Sequence, residues 1–356
     1  MFVTCYSYDH MNAEEKEEHR ENHEKHFRHK EESRRLKNHY KEVAANDETI
    51  KLLQFDLESV RYLPKLEAKS IFYKRRFAVF NLTVLDVPTM VAKNFMWHEA
   101  LAKRGSSEIG SCLLQYLKED SEKCNGPLTY HLFSDSCGGQ NRNKNIVAMF
   151  LYVINILDNV AEINHTFFEP GHSLMEVDSV HAQIEKASKK IDLYDPSGWY
   201  AIVQNASKLK KYVVREMDQD NMYSMSKLRE TILPNTLVDN NKNPVKFLSV
   251  REFKYKKSEP NKVYFNYTYD NQNLLYFVAK DIEINNVALQ REYLAPLPIS
   301  QGKYKDLQDL CNTKIIPTQY RPFYDALKPD DGDGVSISER RQKKTKEESV
   351  HRRVHC

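Results

Sequence analysis

His131-Leu132-Phe133-Ser134-Asp135-Ser136-Cys137-Gly138-Gly139-Gln140-Asn141-Arg142-Asn143 is the stretch that decides the fold. Leu128 to Phe133 is a short run of apolar and aromatic residues, the pattern of a buried strand. It ends on Ser134-Asp135, and Gly138-Gly139 breaks it at once. A helical spacing follows in Ile146, Met149, Phe150, Val153, Ile154 and Leu157. Open α/β sheets place their ligand sites where an acid ends a strand and glycines lead into a helix. The glycines predict a close backbone approach. Gln140, Asn141, Arg142 and Asn143 carry donors suited to phosphate or base.

The same arrangement recurs downstream in His165-Thr166-Phe167-Phe168-Glu169-Pro170-Gly171-His172-Ser173-Leu174-Met175-Glu176-Val177-Asp178. Ile163 to Phe168 reads as a strand and Pro170-Gly171 as a turn. Ser173 and Glu176 have the spacing of a capping box. In the helix that follows, Asp178, His181 and Glu185 stand at i, i+3 and i+7 and so share a face.

Working outward, Ile50 to Asp56, Phe77 to Leu85 and Lys93 to Trp97 read as strands, and Gly105 to Leu117 as a helix. Three strands followed by alternating helix and strand predict an α/β fold with a mixed sheet flanked by helices. Residues 11–46 are almost wholly charged and read as a long solvated helix packing at most one edge. His19, His23 and His26 lie on that helix. Spacing fixes no Cys or carboxylate partner for them, so an exposed histidine-rich face is favoured over a metal site. Phe247 to Val250, Val263 to Tyr267 and Leu274 to Val278 predict a small β-rich C-terminal appendage, and residues 303–327 a pair of helices. The predicted organisation is a charged helical segment at 1–47, a core at 48–230, a small β-rich and helical domain at 231–327 and a disordered basic tail at 328–356.

The 356 residues are 40% hydrophobic, enough for a real core, and 53 Lys and Arg nearly cancel 50 Asp and Glu. Any attraction to phosphate is therefore local. Lys74-Arg75-Arg76 is one such patch. The six cysteines form no C-x-x-C pair, so neither a disulfide framework nor a complete zinc site is visible. No stretch approaches the roughly 18 apolar residues of a membrane span. The sequence predicts an intracellular protein without a membrane partner.

Asp56, Asp135 and either Asp178 or Glu176 emerge as acids at strand ends and a helix start. Carboxylates converging from neighbouring strands suit a pair of Mg²⁺ or Mn²⁺ ions that act on a phosphodiester. Phe55-Asp56-Leu57, Phe72-Tyr73-Lys74-Arg75, Met96-Trp97-His98-Glu99, Ser134-Asp135-Ser136-Cys137-Gly138-Gly139-Gln140-Asn141 and Glu169-Pro170-Gly171-His172 with Glu176 and Asp178 together resemble a large family of transposon-related proteins, expanded in insects and other animals. The resemblance covers most of the chain.

It implies an RNase H-like core of the DDE/D transposase kind, with metal-dependent cleavage and strand transfer on DNA in the nucleus. Asp56 and Asp135 match its first two acidic positions, Asp178 its third, with Glu176 as the alternative. His172 and Gln140 would stand near the scissile phosphate. Asn141, Arg142, Lys74, Arg75 and Arg76 would contact nucleic acid. Zn²⁺ is expected only with a fuller N-terminal Cys/His cluster than Cys5 and His10 provide; most of the family's cluster is missing here, as expected of a fragment, a truncated gene model or a degenerate copy. DNA is the expected partner, and homo-oligomerisation stays open. The alternative is a catalytically inactive, domesticated or degenerate module that binds nucleic acid or protein. A hydrolase using Cys137 and His172 ranks third, since it leaves the strand-end acids unexplained.

Overall fold

The computed structural model describes residue 8 and residues 10–170, 175–209, 211–269 and 274–330. The long helix α1 (Ala13–Asn46) comes first, opened by a capping box between Asn12 and Glu15. Then β1 (Ile50–Leu57), β3 (Phe77–Asp86) and β4 (Val91–His98) form an antiparallel set, with the short β2 (Arg61–Leu63) paired to the start of β3. Helix α2 (Ser106–Ser121) carries the chain back, and β5 (Leu128–Ser134) enters parallel to β1 with Gln54 opposite Phe133. Helix α3 (Lys144–Ile156) leads to β6 (Val160–Phe167), parallel to β5, and α4 (Val177–Ser188) follows. The order β4-β3-β1-β5-β6 puts antiparallel neighbours on one side of β1 and parallel ones on the other. This is a mixed α/β sheet of RNase H-like arrangement.

The sheet grows at both edges. After α5 (Pro196–Asn205), β7 (Tyr212–Glu216) adds parallel to β4. Beyond helix α6 (Met225–Ile232), β8 (Glu252–Lys256), β9 (Lys262–Asn266) and β10 (Leu275–Val278) extend it antiparallel from β6, to ten strands. The β-rich C-terminal stretch is thus joined to the main sheet along β6. Its first strand is displaced from the predicted place: Phe247–Ser249 is a 3-10 turn, and the strand is Glu252–Lys256. There Phe253 and Tyr255 alternate into the core while Glu252 and Lys254 fill the other positions, which hides the strand from a search for apolar runs.

Alternation along β1 sets the site. Leu53, Phe55 and Leu57 point into a core shared with α2, α3 and α6. Leu52 belongs to the opposite core, packed by α4 and α5 and by α7 (Gln301–Asn312) and α8 (Arg321–Asp325). Gln54 and Asp56 share that second face and meet α4. On the first face α2 and α6 approach so closely that a Cβ on Gly110 would lie 2.8 Å from Met225 Cγ. Gly110→Ala is therefore expected to lower stability by about 1–3 kcal/mol, read as an earlier midpoint in urea unfolding; an unchanged midpoint would mean that the two helices yield freely.

Helix α1 is more than a solvated rod packing one edge. Its outer side is exposed, but His29 and Ser33 are buried and Leu36, Tyr40 and Ala44 pack against the second core. Tyr40 stacks on His131 of β5, with centroids 3.5 Å apart. The inward stripe of His29, Ser33, Leu36, Tyr40 and Ala44 keeps helical spacing but begins with polar residues and is only partly buried, so a search for an apolar face misses it. At the other end, Ile299 pairs with Pro329, and Asp330 N–H donates to Ile299 O (2.7 Å), so residues 328–330 are fixed to the fold rather than part of a disordered tail. The basic tail beyond them lies outside the described residues, as does Cys5. Among the described residues, no helix is long and apolar enough to cross a membrane.

Candidate functional site

Asp56 lies near the carboxyl end of β1, Asp135 directly follows β5, and α4 carries Asp178 in its first turn and His181 at the start of its second. One ligand atom from each of Asp56, Asp178 and His181 can be chosen so that all lie within 4.8 Å of one another. His181 Nδ1 is 3.7 Å from Asp56 Oδ2. Burial, then the charges of Asp135 and Asp178, push the Asp56 carboxyl up to about 7, against the smaller pull of the Leu57 N–H and Arg104. The charges of both other acids thus reach Asp56, but among the described residues only Asp178 and His181 form the close group with it, and Asp135 stands outside that group, after the neighbouring strand β5.

Each member is held from behind. Asp135 Oδ1 accepts hydrogen bonds from Asn141 Nδ2 (2.5 Å) and Cys137 N–H (3.2 Å). Asp178 Oδ2 accepts from Met175 N–H (3.1 Å). His181 Nε2 meets Thr83 Oγ1 at 3.0 Å, and that hydroxyl donates onward to Asn94 Oδ1 (2.8 Å). The single hydroxyl proton is thereby used, so Nε2 carries the proton and the Nδ1 lone pair faces Asp56. Burial lowers the His181 pKa, which keeps the ring neutral, the form that ligates metals. Behind Asn94 the polar chain continues through Asn81 to Glu58, which is paired with Arg61.

Glu176, the alternative third acid, is placed elsewhere. It accepts from Lys37 Nζ (2.7 Å), Lys41 Nζ (3.4 Å) and Gln54 Nε2 (2.5 Å). Burial alone would raise its pKa, but Lys37 and Gln54 outweigh it and hold the carboxyl below its usual range. Its neighbours make it a strut between α1, β1 and α4. It occupies the cap position of α4 without capping through its side chain, and its predicted box partner Ser173 lies outside the described residues. Glu176→Ala is expected to cost about 1–3 kcal/mol by stranding Lys37 and Gln54, measurable by chemical denaturation; a neutral result would remove this role.

The other predicted residues divide. Asn141 is buried and serves Asp135. Arg142, expected at nucleic acid, is buried instead: it donates to Val250 O and Ser136 O and lies over the Phe167 ring, bracing the loop after β5. Gln140 is half-buried, and its carbonyl accepts from Asn143, whose own side chain caps α3. Lys74 pairs with Asp309 (2.7 Å) and Asp306, Arg75 pairs with Asp306 (3.0 Å), and Arg76 lies over Tyr62. Glu185 is exposed and stands apart from the acids. His172 falls in residues 171–174, outside those described. The glycine pair is not forced by packing: a Cβ on Gly138 would lie in ordinary contact with Leu248 Cδ2 (3.5 Å), and a Cβ on Gly139 would meet open space.

Two features are not readable from the sequence. His181 shares the Asp178 face by spacing, yet its part in the cluster depends on Thr83, far away in the chain. Glu169, only 3% exposed, meets His26 Nδ1 (3.0 Å), His29 Nδ1 (3.6 Å) and Arg251 Nη2 (3.1 Å), tying α1 to β6 and β8. It also lines a groove of about 340 Å³ that starts at Asp135 and Cys137. No local spacing pairs Glu169 with histidines on α1; the Glu-Pro-Gly-His block is its one signal.

A family model described as "Domain of unknown function (DUF7869)" matches residues 84–273, more than half of the chain. The matched stretch contains Asp135, Asp178 and His181, while Asp56 precedes it. No curated protein and no solved structure matches.

Proposed function

The chain belongs to this family, DUF7869, and for its acidic site we propose metal-dependent phosphodiester cleavage and strand transfer on DNA, by an RNase H-like core of transposon origin acting in the nucleus. One observation carries the reading: ligand atoms of Asp56, Asp178 and the neutral His181 imidazole lie within 4.8 Å of one another, and burial with the charges of Asp135 and Asp178 pushes Asp56 up to about 7. Carboxylates crowded in this way resist ionising together, and a divalent cation would remove the conflict. Carboxylate oxygens suit Mg²⁺ or Mn²⁺, and an imidazole nitrogen in reach favours Mn²⁺ of the two, since Mg²⁺ keeps to oxygen ligands. Asp56, Asp135 and Asp178 would hold the ions, with His181 Nδ1 in reach. Such ions supply Lewis acidity at a phosphodiester and a more acidic water.

The protein's own part is positioning. Asn141 and the Cys137 N–H fix Asp135, the Met175 N–H fixes Asp178, and Thr83 fixes the His181 ring. Arg104 favours the charged form of Asp56.

A second reading, a catalytically silent binding module, draws on a different observation. Arg142 is buried, and Lys74 and Arg75 are engaged by aspartates, which leaves fewer cations to grip DNA than the sequence promised. Labelled DNA incubated with Mg²⁺ or Mn²⁺ separates the two. Cleavage is expected from the wild type and is expected to fall by about 10²–10³-fold in Asp135→Asn. A folded, DNA-binding wild type that leaves the DNA intact would establish the silent module.

A further inference from the structure

The loop between β2 and β3 presents two adjacent aromatic side chains almost entirely to solvent, Phe72 at 81% and Tyr73 at 88% exposure. Large apolar groups shown side by side in this way need a reason. The loop is not slack. Lys65 pairs through its backbone with Leu193, and its Nζ donates to Ser188 O (2.5 Å) and Ile191 O (3.0 Å) at the end of α4. Ile71 is buried in the second core, Arg75 N–H donates to Asp306 (3.1 Å), and Lys74 is paired with Asp309. Anchors on both sides therefore hold Phe72 and Tyr73 out. Their rings meet edge to face, with centroids 5.1 Å apart and planes at 83°, which leaves ring faces open.

The setting is basic. Lys69 and Arg76 line the adjoining cavity of about 640 Å³ against a single acid, Glu67. The Arg76 guanidinium already lies over Tyr62, 4.9 Å from its centroid. The loop also projects from the end of the sheet that carries the acids. Leu57 pairs with Leu82, so Phe77 to Asn81 of β3 run on past the carboxyl end of β1, and the loop lies beyond them. Its Lys65 anchor is the carboxyl end of α4, about 15 Å along the helix from Asp178 near the amino end.

We propose that Phe72 and Tyr73 form a stacking platform for unpaired bases of a DNA strand, with Lys69 and Arg76 attracting its phosphates. The proposal rests on the nucleic-acid reading of the acidic site. Open aromatic faces beside cations bind single strands through base stacking and charge, whereas bases inside a duplex have no free face to offer. Such a platform would hold an unpaired end or a frayed junction near the acids.

The test is fluorescence anisotropy in EDTA, with a labelled single strand and a blunt duplex, on the wild type, Phe72→Ser/Tyr73→Ser and Phe72→Trp/Tyr73→Trp. The serine variant is expected to lose at least about tenfold in affinity for the single strand, with little change on the duplex, and the tryptophan variant to retain binding. The side chains are exposed, so an unchanged thermal midpoint serves as the folding control. Equal single-strand affinity of wild type and serine variant overturns the platform. Loss of self-association with DNA affinity intact also overturns it and makes the pair a contact between copies. Cleavage in Mn²⁺ is scored separately against Asp135→Asn. Intact cleavage with unchanged single-strand binding removes the platform alone, and a wild type that binds no DNA removes both readings.

Discussion

Mn²⁺ is expected to raise the thermal midpoint of the wild-type protein by several degrees near neutral pH, to raise it far less in mild acid, and to leave Asp56→Asn nearly unmoved. The reason is the cost of charging Asp56. An unfolded aspartate titrates near 3.9, whereas burial and the neighbouring Asp135 and Asp178 push Asp56 up to about 7. A raised pKa means that its contribution to stability is complete below the unfolded value and is lost as pH rises through about 7. A rise of that size corresponds to about 4 kcal/mol, and the partial exposure of the side chain reduces this to a few kcal/mol. A cation between the carboxylates reverses the loss by binding the charged form of the folded protein.

Without metal, Asp56→Asn should therefore be more stable than the wild type above neutral pH and lose that advantage in acid. Buried His98, His131 and His165, held down to about 4, about 3 and about 3, act in the other direction. Their stability is present above the ordinary histidine range and is lost as pH falls through those values. They are common to both proteins and cancel in the difference. Thermal unfolding across a pH series, with and without Mn²⁺, checks the expectation; parallel curves for the two proteins would contradict it.

Asp178→Asn is expected to remove metal-dependent cleavage by about 10²–10³-fold, while Glu176→Gln keeps it within a few-fold although the residue lies only two positions earlier. The two carboxylates differ in company. Asp178 offers an oxygen within 4.8 Å of Asp56 and His181, and it contributes to the raised pKa of Asp56. Glu176 is already neutralised by Lys37 and bound by Gln54. Steady-state rates on one labelled substrate sort the pair. Equal losses in both variants would mean that the strut matters to the chemistry as much as the acid does.

The strand-end acids are legible in the sequence because position on a strand is local information. Asp56 and Asp135 each follow a short apolar run, and the run fixes both the strand and its end. Asp178 over Glu176 is legible as a preference only, since the facts that separate them are Lys37 on α1 and Gln54 on β1. Arg142 reads as a phosphate contact because an arginine in a glycine loop has the right donors. Its partners Val250 O and Ser136 O are backbone atoms that no motif encodes. Strand β7 escapes for a similar reason: Tyr-Val-Val-Arg-Glu at a sheet edge leaves Val213 exposed and its charges in solvent, without the alternation of a half-buried strand. Helix α1 is legible as a helix but not as a cover. It docks through Tyr40 on His131 and through His26 and His29 on Glu169, contacts made by polar side chains across most of the core sequence.

The most direct test of the metal-centred account is anomalous scattering from crystals soaked in Mn²⁺. Peaks are predicted within coordination distance of Asp56, Asp135 and Asp178, with His181 Nδ1 directed at one of them, and they should vanish in Asp56→Asn. Ordered carboxylates with no peak at saturating Mn²⁺, sharing protons among themselves, would contradict the account.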